Sequence, residues 1–275
     1  MTLAIQSMLF VPGTRPDRIA KALASGADCV CIDLEDAVPA DEKGAARAAA
    51  LEAVAAHDDA RLAIRINGMM TRAGLADALA LAAADVCPAL VFVPMVESPV
   101  ELAQLRSVLG HDSVRFAPLI ETIAGLRAAD AIAADPSTAM LMFGGGDFSA
   151  QLGVPLAWEP LALARAQLVM AAAGAGVPAL DVPFIHMDNA AGLADECRRA
   201  KEMGFAAKAA IHPAQIAVIH DVFRPNAAEL AEAESALAAF AAGGYRPIRH
   251  NGTMLEAPVV RRFEQILALK EKIDA

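Results

Sequence analysis

The sequence predicts an α/β protein: a closed (β/α)8 barrel of the TIM type with a C-terminal helical and hairpin appendage. Three observations carry this expectation. Short β-branched apolar runs alternate with longer alanine-rich segments of helical period up to about residue 222. About eight such β–α units fit into roughly 220 residues, the spacing of an eightfold barrel. The glycine run Gly144-Gly145-Gly146 comes late and leads into an aspartate. A doubly wound open sheet, the competing architecture, usually has about five to seven strands and places its glycine-rich phosphate loop after an early one.

Strands are expected at residues 8–11, 28–33, 62–66, 90–94, 115–120, 140–143, 179–184 and 206–211. Helical stretches lie between them, at 17–24, 42–56, 75–84, 100–109, 122–133, 160–173, 190–203 and 213–219. Ser98-Pro99-Val100-Glu101 has the form of a capping box with proline at the first helical position. After Arg224-Pro225 the pattern changes. Asn226, with Glu229 three residues on, starts a helix running to about Ala241, and Gly243-Gly244 breaks it. Arg246 to Met254 reads as a hairpin turning at Asn251-Gly252. Val259, Val260, Phe263, Ile266 and Leu267 form an apolar stripe on a final helix. The expected organisation is a catalytic barrel over residues 1–222 and a lid or oligomerisation appendage over 223–275, too short for a core of its own.

Composition narrows the function. Hydrophobic residues make up 56% and charged residues 20% of the 275, with a mean hydropathy of +0.42, which excludes disorder. The excess is alanine, and no run of about 20 apolar residues escapes a charge or a proline, so no membrane span is expected. The N-terminus lacks the basic and apolar regions of a signal peptide. Cys29, Cys31, Cys87 and Cys197 make no CxxC pair, which fits reduced thiols in a cytoplasmic protein. A net charge of −10 repels phosphate backbones and argues against nucleic acid as a partner. A small anionic ligand needs only a local arginine.

In a (β/α)8 barrel the reacting groups sit where strands end and βα loops begin. Those places hold Asp33, Glu35 and Asp36, then Arg65 and Asn67, Glu97, Glu121, Asp147 and His212. Strand alternation puts Ala63, Arg65 and Asn67 on one face, and Arg115, Ala117, Leu119 and Glu121 on another. If the small residues mark the crowded interior, Arg65 and Glu121 project into the mouth. Several carboxylates around one arginine repel each other unless a cation bridges them. Hard oxygen donors without a histidine or cysteine cluster point to Mg2+ or Mn2+. Plainer readings stand beside these. Glu97 reads as a helix cap, Asp33 and Asp36 as either caps or ligands, and His212 as ordering the last loop ahead of Pro213. Asp147 after its glycines reads as a ligand or as part of a flexible turn. Lys208, on the parity of His212, is expected to point inward in a structural or phosphate-contacting role. No Ser–His or Cys–His pattern suggests a covalent nucleophile.

The same segments carry a resemblance. MLFVPGTRPDRIAKAL, CIDLEDAVPADEKGAAR, IRING, VPMVES, PLIETIAGL, FGGGDFSAQLG, GFAAKAAIHPAQI and NGTMLEAPVVRRF follow one another along nearly the whole chain. Together they resemble the citrate lyase β-subunit-like family, stand-alone CoA-ester lyases of the HpcH/HpaI aldolase group. The resemblance implies a homotrimeric barrel that cleaves or forms a carbon–carbon bond in a 3-hydroxyacyl-CoA thioester. Malyl-CoA, citramalyl-CoA and citryl thioesters are the substrates of relatives, and acetyl-CoA and a 2-oxo acid the products. It further implies Glu121 and Asp147 as Mg2+ ligands, with Glu35 and Asp36 holding metal-bound waters. Arg65 and Glu121 would contact the reacting end of the substrate, Arg15 would lie along the CoA arm, and Glu256 would act as acid/base from a neighbouring subunit's tail. Three positions depart from the family pattern: Met95 replaces a lysine, Gln151 an aspartate and Glu256 an aspartate. Two alternatives stand beside this reading. A class II aldolase on free 2-oxo acids would lean on histidine, and none of the six histidines falls beside the proposed ligands. A thioester-binding paralogue with little catalysis is favoured by Met95 and Glu256.

Overall fold

The structure, a computed structural model, describes residues 5–57 and 59–274. Its chain forms two compact units, residues 5–219 and 220–274. In the first, β1 (Ser7–Pro12) leads through a single 3-10 turn into α1 (Ile19–Ala24). There follow β2 (Cys29–Asp33), α2 (Lys43–His57), β3 (Leu62–Arg65) and α3 (Arg72–Ala82). Next come β4 (Leu90–Val93), α4 (Pro99–Leu109), β5 (Arg115–Ile120), α5 (Ile123–Arg127) and α6 (Ala129–Ala133). The round closes with β6 (Leu141–Phe143), α7 (Gly145–Leu152), α8 (Trp158–Ala175), β7 (Ala179–Asp181), α9 (Ala190–Met203), β8 (Ala207–Ala210) and α10 (Gln215–Phe223).

All eight strands pair in parallel in sequence order, and Ser7, Met8 and Leu9 pair with Lys208, Ala209 and Ala210 to close the barrel. The two faces of each strand are both buried, as a barrel wrapped in helices requires. Cys29, Cys31, Ala63, Phe92, Ala117, Leu119, Ala207 and Ala209 fill the interior. Their neighbours Val30, Ile32, Ile64, Val91 and Phe116 are buried on the helix side. The parity therefore puts Asp33, Arg65 and Glu121 on the interior side, above Cys31, Ala63 and Leu119. It also corrects one expectation: with Ala207 and Ala209 inside, Lys208 faces outward, toward the helices.

Local chemistry explains most element ends. Thr71 and Thr122 accept hydrogen bonds from the Gly74 and Gly125 amides and start α3 and α5. Ser98 starts α4 by accepting from Val100, while Glu101 reaches back past Ser98 to accept from the Glu97 amide, one residue beyond the expected box. Gly110, at φ 65°, ends α4 in the left-handed conformation. The helix expected over 122–133 is two helices parted at Ala128 (φ −97°, ψ 0°). The glycine run opens a helix, α7, rather than a flexible turn.

In the second unit, Asn226 and Glu229 form a reciprocal capping box at the start of α11 (Ala227–Ala242). The hairpin β9 (Ile248–His250) and β10 (Thr253–Leu255) turns at Asn251 and Gly252, both at positive φ (46° and 82°). Ala236 and Phe240 of α11 pack with Leu255 and with Val260 of α12 (Ala257–Asp274). Among the described residues no helix is long and apolar enough to cross a membrane.

Candidate active site

The C-terminal ends of the strands surround a cavity of about 430 Å³. One side is polar, made by Asp33, Asp36, Arg65, Glu121 and Asp147; the other is apolar, with Leu156, Val182, Pro183, Ile185 and Ile211. Arg65 is the organising group. Its Nε and Nη2 donate to the two oxygens of Asp33, both at 2.7 Å, in a buried bidentate pair. Its Nη1 lies 2.9 Å from Glu35 and 3.5 Å from Asp36, and the Phe10 ring stacks at 4.8 Å. Burial opposes the Arg65 charge, but the Asp33 pair outweighs it and raises the pKa. Asp33 resolves the open choice between cap and ligand. Besides pairing with Arg65 it accepts the Glu35 and Ala37 amides, so it shapes the loop and leaves no oxygen free for a metal. Lys43 Nζ donates to the carbonyls of Leu34 and Glu35 and braces that loop from outside.

Glu121 directly follows β5, one of its oxygens accepting from the Met95 amide at 2.5 Å. Met95 adopts φ 58°, a left-handed conformation that costs a branched or long side chain energy, and aims this N–H at the carboxylate. A Cβ on Gly144 would overlap both Cβ and Oε2 of Glu121, so only glycine lets β6 pass this close. Asp147 stands in the first turn of α7, on the same side of the cavity. Burial pushes the Glu121 carboxyl up to about 7, with Asp147 repelling it as a further cause. Burial likewise raises Asp147, and takes Glu35 to about 8. Glu35 Oε2 is buried and lacks a hydrogen bond, its contact with Arg65 being off the bonding direction.

Carboxylates held at raised pKa values around a guanidinium that is already paired are a donor set short of positive charge. Hard oxygen ligands of this kind fit Mg2+ or Mn2+, which bind through one or two carboxylates and fill the remaining positions with water or substrate. Among the described residues no three His, Cys, Asp or Glu side chains converge tightly enough to hold a metal by themselves. Glu121 and Asp147 are thus the pair available in the cavity, with Asp36 at its edge and Glu35 outside its lining.

Other expected residues lie elsewhere. Arg15 is half-buried, paired with Asp17 at 2.6 Å, and does not line the cavity; Phe10 and Pro12 of the same segment do. Glu97 accepts from Thr122, the cap of α5, and His212 Nδ1 accepts from the Ala214 amide, so both serve loop structure. Gln151 holds the Ile123 amide at 2.7 Å. Lys208, fully buried, donates to Asp181, Glu196 and the Val182 carbonyl. Glu256 belongs to the second unit, exposed, its carbonyl accepting from the Val259 and Val260 amides at the start of α12. Sequence reasoning missed the Met95 amide, the Gly144 clearance and the apolar wall. Of these only the late glycine run left a visible signal.

A closed parallel barrel with carboxylates and one guanidinium at its C-terminal mouth defines an enzyme-type TIM barrel whose chemistry is acid–base or metal-assisted. The pattern of the HpcH/HpaI aldolase/citrate lyase family matches residues 6–213, and that of a carbon–carbon bond lyase of the TIM-barrel fold matches 161–272. The chain belongs to the HpcH/HpaI aldolase/citrate lyase family. It is 33% identical to a citrate lyase subunit beta-like protein of Deinococcus radiodurans, over 96% of each chain. Mitochondrial citramalyl-CoA lyase of Homo sapiens is 29% identical, over 98% of this chain and 86% of the relative. A (3S)-malyl-CoA thioesterase of Cereibacter sphaeroides is 34% identical, over 86% and 82%. Among solved structures, RipC of Yersinia pestis superposes with a TM-score of 0.75 at 42% identity, over 84% of this chain and all of that one. CitE of Mycobacterium tuberculosis, in complex with magnesium, acetoacetate and coenzyme A, superposes with a TM-score of 0.84 at 32% identity, over 98% and 100%.

Proposed function

We propose that this protein is a Mg2+-dependent carbon–carbon lyase that cleaves, or forms, a 3-hydroxyacyl-CoA thioester, with acetyl-CoA and a 2-oxo acid on the other side of the reaction. The observation that carries the reading is Glu121 and Asp147 beside the Asp33-paired Arg65 in one strand-end cavity. The names of its relatives and the magnesium and coenzyme A bound by a structural neighbour support it. Glu121 and Asp147 would hold the metal, with Glu35 and Asp36 orienting its waters. Bound there, Mg2+ supplies Lewis-acid charge to the substrate's oxygens.

The chain's own residues do the rest. Arg65, fixed by Asp33 and Phe10, presents Nη1 to oxygen that gains negative charge as the bond breaks. Preorganised stabilisation of this kind is worth roughly 3–4 kcal/mol. The Met95 amide keeps Glu121 from rotating away. The apolar wall excludes water from a reactive thioester enolate. Glu256, contributed by a neighbouring subunit of a homotrimer, is the acid/base.

Incubation with acetyl-CoA, Mg2+ and either glyoxylate or pyruvate tests the proposal. New acyl-CoA masses that disappear with EDTA are expected; unchanged acetyl-CoA would overturn it. A second reading, thioester hydrolysis, has one observation in its favour, the similarity to a thioesterase. It would show in the same assay as free CoA beyond the lyase products.

A further inference from the structure

Nothing in the proposed reaction uses Gln151, yet its side chain reaches the segment that carries Glu121. Glu121 and Asp147 come from neighbouring strand ends and are fixed by different means. Glu121 directly follows β5, and the Met95 amide holds its carboxylate. Asp147 stands four residues beyond Phe143, the last residue of the three-residue strand β6. The β5–β6 ladder pairs Leu119 with Met142 and Ile120 with Phe143, so it ends before either carboxylate. Phe148 packs on Phe143, ring centroids 5.7 Å apart, which ties α7 to its own strand.

Beyond the ladder, two hydrogen bonds join the segments among the described residues. At the root, the Gly144 amide donates to the Ile120 carbonyl at 3.0 Å. At the far end, the Ile123 amide donates to Gln151 Oε1 at 2.7 Å. Glu121 lies between Ile120 and Ile123, and Asp147 between Gly144 and Gln151, so the two bonds bracket both carboxylates in one closed loop. Asp147 and Gln151, four residues apart in α7, share a helix face. The acceptor suits the place. Asp147 already repels Glu121, and the Gln151 amide takes the Ile123 N–H without adding negative charge. Gln151 is exposed, so this bond adds modestly to stability, and its main effect is on geometry. Mg2+ is sensitive to geometry, since it demands a near-ideal octahedron with ligands at about 2.0–2.1 Å. We propose that Gln151 is a positioning residue: by tying α7 to the Ile123 amide it sets the separation of Glu121 and Asp147, and through it the affinity and symmetry of the divalent-cation site. The inference rests on the reading of those two carboxylates as the metal ligands.

Gln151→Met keeps the length of the side chain and removes the acceptor; Gln151→Glu restores one. The test is Mn2+ titration of the full-length protein followed by electron paramagnetic resonance, with circular dichroism and Tm recorded alongside. Gln151→Met should fold with a Tm close to that of the wild type, bind Mn2+ about tenfold more weakly and change the line shape of the bound ion. A merely structural role would move Tm and leave affinity and line shape alone. Gln151→Glu should recover wild-type affinity or better. A wild-type protein that binds no Mn2+ would overturn the metal-site reading and this inference with it. Wild-type binding with unchanged affinity and line shape in folded Gln151→Met, or no recovery in folded Gln151→Glu, would overturn the role of Gln151 alone.

Discussion

Gly144→Ala tests how the Glu121 carboxylate is placed. An alanine Cβ there would overlap Glu121 at both Cβ and Oε2, well inside van der Waals contact. The opposing atoms are a buried carboxylate already held by the Met95 amide, so neither partner gives way freely. Overpacking of this kind costs about 1–3 kcal/mol. At roughly 2–4 °C per kcal/mol for a domain of this size, Tm should fall by about 2–12 °C. The larger effect is positional. Glu121 must retreat by about 1 Å, and a displacement of that size costs on the order of a hundredfold in turnover. Gly146→Ala is the matched control from the same glycine run. An added Cβ there meets nothing within 4 Å, and the position is helical. It should leave Mg2+ affinity unchanged and raise stability by up to about 1 kcal/mol. Thermal unfolding and Mg2+ titration of both variants decide the matter. Wild-type Mg2+ affinity and Tm in Gly144→Ala would refute the placement of Glu121.

Arg65→Lys keeps the charge but loses the fork that spans both Asp33 oxygens, and turnover should fall by about a hundredfold to a thousandfold; an unchanged kcat would reduce Arg65 to an ion-pair partner. Burial raises the Glu121 carboxyl from 4.5 to about 7, so its ionisation disfavours the metal-free fold. That fold should lose up to about 3 kcal/mol as pH rises from about 4.5 to 7, whereas apparent Mg2+ affinity should fall about tenfold per unit below pH 7. Calorimetry showing a pH-independent affinity would contradict this. Lys208→Met leaves the buried Asp181 and the half-buried Glu196 with fewer partners and should cost about 3–5 kcal/mol in urea unfolding, with kcat of the folded enzyme unaltered. Mixing Arg65→Ala with Glu256→Ala subunits should restore part of the activity if Glu256 acts in trans; no recovery in verified mixed oligomers would remove that role.

The barrel was legible because its signal is repeated. Eight short apolar runs each alternate faces, and the small residues of β3, β5 and β8 mark the inner one. Residues that continue an inner face were readable in turn, which is why Arg65 and Glu121 could be placed at the mouth. Lys208 shows the limit. It was judged by the parity of His212, beyond the end of β8, and parity does not survive past the last paired residue. The adjacent alanines held the correct answer. Helix α7 was obscured because glycine is a poor helix former; it forms where close approach to Glu121 leaves no room for a side chain. The left-handed backbone at Met95 has no sequence signature, since methionine seldom adopts it. Arg15 carries the matching motif, and its guanidinium is bound to Asp17 two residues on.

The central claim is that Glu121 and Asp147 hold one divalent cation beside Arg65. Mn2+ titration followed by electron paramagnetic resonance, on wild type, Glu121→Ala and Asp147→Ala, tests it most directly. Expected is one bound Mn2+ per chain in the wild type, displaced by Mg2+, with affinity lost in both folded variants. Wild-type Mn2+ affinity in Glu121→Ala or Asp147→Ala, at unchanged circular dichroism, would contradict it.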